Sequence, residues 1–541
     1  MWFRPSRNSF NRPQPFHPRL EALEDRSLPS GGALDPTFGT GGIVITPAGA
    51  SSAAHSVAVQ NDGKIVAAGQ TISSDGRSDM AVVRYNIDGS LDSTFNGTGK
   101  ATTNFGAADI ANGVVVQPDG KIVAGGATRS ASGNIDFALA RYTSGGTLDR
   151  AFGSQGKVTT NFSKGSADAA IGVALQSDGK IVLGGTTATT SVPTGNNLAL
   201  ARYTSAGSLD ASFGNGGEVI TSFTTIPGSL GTTRVYGMGV YPVHRLQPTA
   251  NDDKIVLVGT TKLADGYHVF VVRYSAAGQL DTTFGGSGNG IVLLSQTLDG
   301  QPVSVTIQSD GKVDVAWYAG FVAGESTLAR LNADGSLDLS IDHDGTLDGI
   351  GHTANSINIL SIAVQVDGKI LLSGVGTNDL ARLTTDGYLD KTFGHGGVES
   401  VSGGSGYLAI APDGRFVVAG TLSGAFSGAR FLASAPQIGS FTASPNPVTA
   451  GGNVTLTASS ITDTNPNSTI TQVALYVDSN NDGILEPGTD TLLGYAAQTS
   501  PGVWTFTFTV NLAPGTYTLF AQAEDSYGVF GDPVSLALTV Q

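Results

Sequence analysis

The feature that most constrains the fold of this chain is a unit of roughly 57 residues that recurs along it. Three motifs, with variants, mark the copies: Gln-x-Asp-Gly-Lys, Arg followed by Tyr, Leu or Phe, and Leu-Asp-x-x-Phe-Gly. Copies begin near residues 34, 91, 148, 209, 280, 337 and 389. One such unit cannot bury its own apolar face, so neighbouring copies must stack. The repetition therefore predicts a single repeat domain over residues 34–434.

The second unit indicates the kind of element that is repeated. Four short segments rich in β-branched or aromatic residues begin at Lys100, Gly113, Lys121 and Asp136, with Gly, Asp or Ser between them. Helical periodicity is absent. Four strands per unit and seven units predict an all-β fold, a seven-bladed β-propeller of four-stranded blades.

Turn chemistry explains why the Asp-Gly-Lys segment recurs with the same residues along the chain. Pro-Asp-Gly before Lys121 suits a type I turn with Gly120 in the left-handed region, which reverses the chain between two strands. The fourth unit has Asp253 where glycine usually stands, and aspartate tolerates this conformation at some cost. The glycine pair at Gly125 and Gly126 is predicted to lie where blades converge.

Two charged residues recur once per unit and are the main candidate site residues. The arginines are Arg84, Arg141, Arg202, Arg273, Arg330, Arg382 and Arg430. The aspartates are Asp35, Asp92, Asp149, Asp210, Asp281, Asp338 and Asp390. A ring of ligand-binding charges is one interpretation. We favour a structural role, in which each guanidinium pairs with a nearby carboxylate and ties one blade to the next connection.

The combined motifs resemble the delta-60 repeat family of β-propellers, which occurs in bacterial surface and secreted proteins. The resemblance covers residues 34–434 and implies a propeller in a surface setting, without a particular enzyme activity. Units five and six depart from the pattern: "LDLSIDHDGTLDG" lacks the Phe-Gly, and "KVDVAWYAG" replaces the usual strand. Unit four carries an extra segment at 223–251.

Residues 1–33 differ from the rest in being rich in Arg and Pro, without the apolar core of a signal peptide. We expect this segment to be disordered. Its sequence "RLEALEDRSLPS" resembles an export-associated motif of planctomycete surface proteins. The matching residues are Leu23, Glu24, Asp25, Arg26 and Leu28. The resemblance implies export to the cell surface or beyond, and a terminus without any such role is the alternative.

The last 107 residues, 435–541, have another style, with a Pro-rich entry and alternating strands. We predict strands near 453–458, 470–477, 491–495, 503–510, 515–523 and 534–540. Turn signals every 8–12 residues favour a β-sandwich. The segment resembles the Ig-like or PKD-type modules of bacterial surface proteins, and we expect Trp504 to be a core residue.

One loop of this module has the oxygen-rich pattern of a calcium site. The candidate ligands are Asp478, Asn480, Asp482, Ile484 (through its carbonyl), Glu486 and Asp490. The acid expected at position 12 is Thr489, with Asp490 one residue late, and no exiting helix follows. An ordinary Asp/Asn turn is the alternative. No cofactor other than calcium is expected.

Composition limits the function classes that remain. The net charge of −15 opposes binding to phosphate backbones, and the absence of cysteine excludes disulfides and thiol catalysis. No apolar stretch is long enough to span a membrane. The seven histidines share no repeat position and form no metal-ligand pair. We therefore predict a monomeric, non-catalytic scaffold, adhesion or ligand-binding protein whose partner is an extracellular protein or glycan. The alternative is an extracellular polysaccharide hydrolase with acids in the central channel.

Overall fold

The repeat region and the last hundred residues are built almost entirely of strands. The computed structural model describes residues 32–541 except 74–75, 131, 189–195, 232, 243–250, 295–300, 319–325, 351–356, 366, 377–379, 395, 401–405, 413, 433–435, 464–468, 482, 484, 486–488, 527–529 and 532. The export-like motif at 23–28 lies outside these residues. Apart from the 3-10 turn Phe223–Thr225, the regular elements described are strands, which confirms the all-β class. No helix among the described residues has the length and apolar character needed to cross a membrane.

The described part of the repeat region contains four separate four-stranded antiparallel sheets and one twelve-stranded sheet. The twelve-stranded sheet is made of three four-stranded antiparallel groups joined by single parallel pairs, Ser78 with Ala108 and Ala167 with Ile135. We call each four-stranded group a blade. Blade 1 has β2 (Ser51–Val59), β3 (Ile65–Ile72), β4 (Ser78–Tyr85) and β5 (Lys100–Thr103). Blade 2 has β6 (Ala108–Val116), β7 (Ile122–Arg129), β8 (Ile135–Tyr142) and β9 (Lys157–Thr160). Blade 3 has β10 (Ala167–Leu175), β11 (Ile181–Ala188), β12 (Asn196–Tyr203) and β13 (Glu218–Thr221).

Blade 4 has β14 (Thr233–Val240), β15 (Ile255–Leu263), β16 (Gly266–Tyr274) and β17 (Ile291–Leu294). Blade 5 has β18 (Gln301–Ile307), β19 (Val313–Tyr318), β20 (Ser326–Leu331) and β21 (Thr346–Ile350). Blade 6 has β22 (Ile357–Val364), β23 (Ile370–Gly376), β24 (Leu380–Leu383) and β25 (Val398–Glu399). Blade 7 has β26 (Gly406–Ile410), β27 (Phe416–Leu422), β28 (Ala425–Phe431) and β1 (Ile43–Thr46).

The blades form a closed ring. The first strand of each blade contacts the first strands of both neighbouring blades, and β26 contacts β2. These first, inner strands therefore surround a common axis, and the fourth strands lie outermost. Closure leaves no broad sheet face exposed at either end of the row. This is the β-propeller fold expected from the sequence.

The blades are out of phase with the sequence units, which we did not anticipate. The first strand of each unit, such as β5, pairs with the last strand of the preceding unit, here β4. The four strands of the second unit therefore divide between two blades. At the ends of the region, β1 completes blade 7 by pairing with β28, from Ile43 opposite Ala429 to Thr46 opposite Phe426. This offset joins the two ends of the ring by a strand ladder.

A β-bulge interrupts six of the seven inner strands at the same place in the described residues. The bulged residues are His55, Asn112, Ile171, Tyr236, Val303 and Leu360. A bulge inserts one unpaired residue and redirects the strand. The carbonyl group two residues before the bulge then lies against the second strand, where Gly126 faces Ile110.

The glycine pair thus has two functions. Gly125 adjoins Leu183 and Val173 of blade 3, as predicted from the convergence of blades. Gly126 instead makes room for the bulge inside its own blade. The Asp-Gly turns have the expected conformation, with a φ of +80° at Gly120 and +61° at Asp253. Asp253 also gains a partner, because its carboxylate accepts the backbone N–H of Ser177 in blade 3 at 2.7 Å.

The C-terminal module consists of two four-stranded antiparallel sheets. One sheet contains β29 (Gln437–Ser444), β30 (Asn453–Thr462), β34 (Val503–Thr509) and β33 (Ala497–Ser500). The other contains β32 (Thr491–Tyr495), β31 (Ile470–Val477), β35 (Gly515–Asp525) and β36 (Val534–Val540). Side chains from both sheets, including Trp504, form one apolar core. The Ig-like type of this module stays a prediction.

A Cβ atom at position 126 tests the role of the bulge. Gly126→Ala should destabilise the protein by about 1–3 kcal/mol, because the added carbon would collide with the carbonyl of Ile110. Gly145→Ala is the matched control, since a Cβ there meets only the Thr143 hydroxyl at 3.8 Å. Chemical denaturation of both variants measures the difference. Equal stability of the two would contradict the proposed packing.

Candidate functional site

Every recurring arginine lies within ion-pair distance of its recurring aspartate. In six blades the aspartate follows eight residues after the arginine, and nitrogen–oxygen distances are 2.7–2.9 Å. The backbone N–H of the aspartate also donates to the carbonyl of the arginine, as between Asp92 and Arg84 at 3.0 Å. We call each such pair, with the groups around it, a clamp.

The seventh clamp joins the two ends of the repeat region. Arg430 of β28 pairs with Asp35, 395 residues earlier, at 2.9 Å. Arg415 adds a second ion pair to the same carboxylate oxygen at 3.0 Å. Asp35 is completely buried. This clamp and the β1–β28 ladder hold the same seam, where blade 7 is completed by residues from the beginning of the region.

The remaining motif residues complete the clamps. In five blades the lysine of this turn makes a second ion pair with the aspartate, as between Lys64 and Asp92 at 3.0 Å, whereas Lys121 of blade 2 pairs with Asp119. Our sequence reading assigned these lysines to turns alone. The Thr of the Leu-Asp-x-Thr-Phe motif donates to the other carboxylate oxygen, at 2.6 Å for Thr94. The Phe lies under the guanidinium, with Phe95 4.7 Å from the central carbon of Arg84.

At least six of the clamps also reach the next blade. Arg84 donates from Nη1 to the carbonyl of Ser144 at 2.6 Å, and Arg202 donates likewise to Ala276. A second link runs in the opposite direction, where the Tyr142 hydroxyl of blade 2 bonds to Thr103 of blade 1 at 2.7 Å. Burial raises the pKa of Tyr142 to about 12, so this hydroxyl keeps its proton. The clamps are therefore links between blades, as well as within them.

The surroundings of the clamps stabilise the ionised aspartates. Burial alone would raise the pKa of Asp210, but Ser212, Lys180 and Arg202 lower it to about 2. Asp92 and Asp281 have pKa values that are also held well below the usual range. A lowered pKa means that the clamp adds stability above the unfolded value of about 3.9. That stability is lost as the pH falls through the folded value.

The clamp charges are paired with one another, although Nε of Arg202 and Oδ2 of Asp210 have no hydrogen bond, so the axial face of the ring is the better candidate for ligand binding. Its variable positions are the six bulged residues and, in β26, which has no bulge, Tyr407, paired with Ala419 as Ser56 is paired with Ala68 in blade 1. Together we call these seven residues the axial ring. Asn112 donates to the carbonyl of Ala170 in the next blade at 2.8 Å. The rings of His55 and Tyr407 meet edge to face, with centroids 6.5 Å apart.

Two polar atoms of the axial ring are buried and have no hydrogen-bond partner among the described residues: Nε2 of His55 and the hydroxyl of Tyr236. Burial lowers the pKa of His55, so its imidazole is neutral at physiological pH. Sequence reasoning did not select these residues because they share no residue type. Their position in the strand could have identified them. Each directly precedes the Gly or Ser at which strand pairing resumes after the bulge.

The candidate calcium loop is described in part. The carboxylate of Asp478 accepts backbone N–H groups of Asn481 at 2.6 Å and Gly483 at 2.9 Å. Asp490 accepts the N–H of Ser479 at 2.9 Å, which brings the two ends of the loop together. Asp482, Ile484 and Glu486 lie outside the described residues. No group of three His, Cys, Asp or Glu side chains placed to hold a metal was found in the part of the chain that the structure describes.

Comparison with known families supports the repeat analysis. Six segments match the family described as "Domain of unknown function (DUF5122) beta-propeller", at residues 60–95, 117–152, 176–213, 250–284, 308–340 and 365–393. Each segment contains both residues of one clamp. The repeats are those of a β-propeller family. The seventh clamp lies outside the matched segments of this propeller, and folding alone brings its Arg430 and Asp35 together.

Similar solved structures have low sequence identity to the propeller chain. Virginiamycin B lyase from Staphylococcus aureus is 11% identical, with 72% of this chain and 98% of that chain covered and a TM-score of 0.38. YCF48 bound to D1 peptide is 10% identical, with 75% and 98% covered and a TM-score of 0.40. YCF48 from Cyanidioschyzon merolae is 12% identical, with 72% and 98% covered and a TM-score of 0.40. No curated protein matches the chain.

Removing one clamp arginine should destabilise the propeller. Arg141→Ala leaves the buried Asp149 without its guanidinium partner and removes the bond to the carbonyl of Ser205, so we expect a loss of about 3–5 kcal/mol. The control is Arg150→Ala in the same connection, where the side chain is exposed and a change within about 0.5 kcal/mol is expected. Denaturant titration separates the two. An Arg141 variant as stable as the control would refute the structural role of the clamps.

Proposed function

We propose that this chain is a non-catalytic β-propeller scaffold, exported or held at the cell surface, that binds an extracellular protein or a glycan at its axial ring. The observation that carries the proposal is a contrast between two sets of positions within the same blades. The clamp positions carry the same arginine and aspartate in all seven copies. The six bulged positions of the axial ring differ in residue type from blade to blade, although they occupy equivalent places in their strands.

The clamp residues are unsuited to ligand binding because their charges are already paired inside the protein. Arg84, for example, is 4% exposed and bonds to Asp92, Thr94 and Ser144. A ligand would have to break these bonds in order to use the guanidinium. The interpretation of the recurring charges as a ligand-binding ring is therefore disfavoured.

The axial ring offers the chemistry that a specific binding surface needs. Buried polar groups in proteins are nearly always hydrogen-bonded, so the unpartnered atoms of His55 and Tyr236 would gain a bond from a ligand that displaces the side chains covering them. Ile171 and Leu360 at other blades supply apolar contacts, and Tyr407 supplies an aromatic face. Aromatic and polar groups together suit a sugar ring or a peptide segment.

The acids of the inner strands favour this role over the alternative of a polysaccharide hydrolase. Such a hydrolase needs two carboxyl groups that converge on one bond. Asp109 and Asp168 are the acids of the described inner strands, and both are fully buried. Each accepts a backbone N–H group close to it in sequence, from Phe105 and Phe162 respectively. Their positions suit loop anchoring better than bond cleavage.

The remaining parts of the proposal rest on sequence. Export is supported by the resemblance at residues 23–28, and the net charge of −15 supports a partner other than nucleic acid. Calcium binding in the loop from Asp478 to Asp490 and a monomeric state stay predictions.

Binding measurements on the purified full chain test the proposal. The probes are a panel of soluble oligosaccharides and the isolated surface proteins of the cell that produces the chain. For any probe that binds, Tyr236→Ala and His55→Ala should each weaken binding at least about tenfold, or about 1.4 kcal/mol. The control is Tyr495→Ala in the C-terminal module, where the side chain is 55% exposed and binding should not change.

Two results would count against the proposal. One is that no probe binds, or that the axial-ring variants bind as tightly as the control. The other is release of smaller sugars from an oligosaccharide, which would favour the hydrolase.

A further inference from the structure

Blade 5 has an acid at a position where the other six blades have an aliphatic residue. The residue paired across the strands with each clamp arginine is Val66, Val123, Val182, Val256, Leu371 or Val417. In blade 5 this residue is Asp314, opposite Arg330. Asp314 is 0% exposed, like the residues that it replaces. This carboxyl group belongs neither to the clamps nor to the axial ring.

The carboxyl group lies in the apolar contact between blades 5 and 6. Successive residues of a strand face opposite sides. Val313 and Val315 belong to the apolar cluster shared with blade 4, whereas Ala316 belongs to the one shared with Ile370 and Leu372 of blade 6. Asp314 shares its side of the strand with Ala316. A charge at this place is therefore surrounded by the core that joins the two blades.

The carboxyl group is only partly hydrogen-bonded. Oδ2 accepts a bond from Nε2 of Gln308 at 2.6 Å, while Oδ1 is buried with no partner among the described residues. The corresponding Gln176 of blade 3 uses its Nε2 differently, to bond Asp253 and Ala276 of blade 4. In blade 5 the amide that could link two blades is therefore occupied by the buried acid.

The charged groups nearby do not neutralise the acid. Arg330 directs Nε to Asp338 at 2.7 Å, Nη2 to Ser340 and Nη1 to the carbonyl of Thr385 in blade 6. Lys312 is 3.1 Å from Asp338, and Lys369 of blade 6 is 3.0 Å from Asp390. Burial raises the pKa of Asp314 to about 7, against the lowering effects of the Gln308 hydrogen bond and the Arg330 charge, and the negative charges of Asp310 and Asp338 add to the rise.

We propose that Asp314 is a proton-dependent latch between blades 5 and 6, closed when the carboxyl group is protonated and loosened when it is ionised. A protonated carboxyl group is neutral and can stay in the apolar contact. An ionised group has an unpaired buried oxygen and favours states in which the contact opens to water. The latch would make one seam of an otherwise uniform ring responsive to pH.

The direction of the pH effect follows from the raised pKa. An unfolded aspartate has a pKa of about 3.9, so the folded blade holds its proton to a higher pH than the opened one. The stabilisation is complete below about pH 4 and is lost as the pH rises through about 7. The clamp aspartates behave in the opposite way, with lowered pKa values, and do not titrate in this range.

Hydrogen exchange of the full chain, measured by mass spectrometry at pH 6 and pH 8 and corrected for intrinsic rates, tests the latch. Protection of peptides from β19 and β20 should fall about tenfold between these pH values in the wild type. In Asp314→Val, which restores the residue of five other blades, protection should not change. Asp314→Asn removes the titration while keeping the shape, and guards against a repacking effect of valine.

Peptides from β7 and β8 of blade 2 serve as an internal reference, because Val123 occupies the matching position there. The latch is refuted if the wild type keeps its blade 5 protection at pH 8. It is equally refuted if both variants lose protection as the wild type does, or if the loss is the same in blade 2.

Discussion

The structure depends on a buried carboxylate that is shared by several donors. In each clamp an aspartate forms an ion pair with an arginine on the third strand of the blade, as Asp281 does with Arg273 at 2.7 Å. A second cation and a hydroxyl group complete its coordination in most blades, as Lys254 and Thr283 do here. Burying a charge is costly unless it is paired and hydrogen-bonded. The recurring motif therefore supplies all of these partners together.

The clamp explains why the sequence is repetitive where it is, and why a ring results. An isolated four-stranded sheet leaves both faces exposed, so it needs neighbours on each side. The guanidinium that holds the aspartate also bonds a carbonyl in the next blade, so the same side chain orders the connection and the interface. At the seam, Arg430 and Asp35 repeat the arrangement with residues from opposite ends of the region. Functional variation is then left to positions that the clamps do not use.

Much of the fold could be read from the sequence because the determining contacts are local and repeated. The Asp-Gly turns and the eight-residue separation of Arg84 and Asp92 recur often enough to identify them. The phase of the blades could not be predicted, because the repeated motifs do not specify whether the first strand of a unit pairs within its own unit or, as β5 does with β4, with the preceding one. The strands β29 and β33 were missed, since both lie at sheet edges and carry largely exposed residues. The axial ring and Asp314 were missed because their importance lies in differing from the repeat.

Closure of the ring through β1 and β28 is the central claim, and a cysteine pair tests it most directly. The natural chain has no cysteine, so Ile45→Cys with Ser427→Cys introduces the only two thiols, at positions paired in register. Under mild oxidation we predict a single intramolecular disulfide between residues 45 and 427, identified by peptide mass mapping, with loss of both free thiols. Two thiols that stay free, or that form only links between molecules, would contradict a ring closed by its first strand.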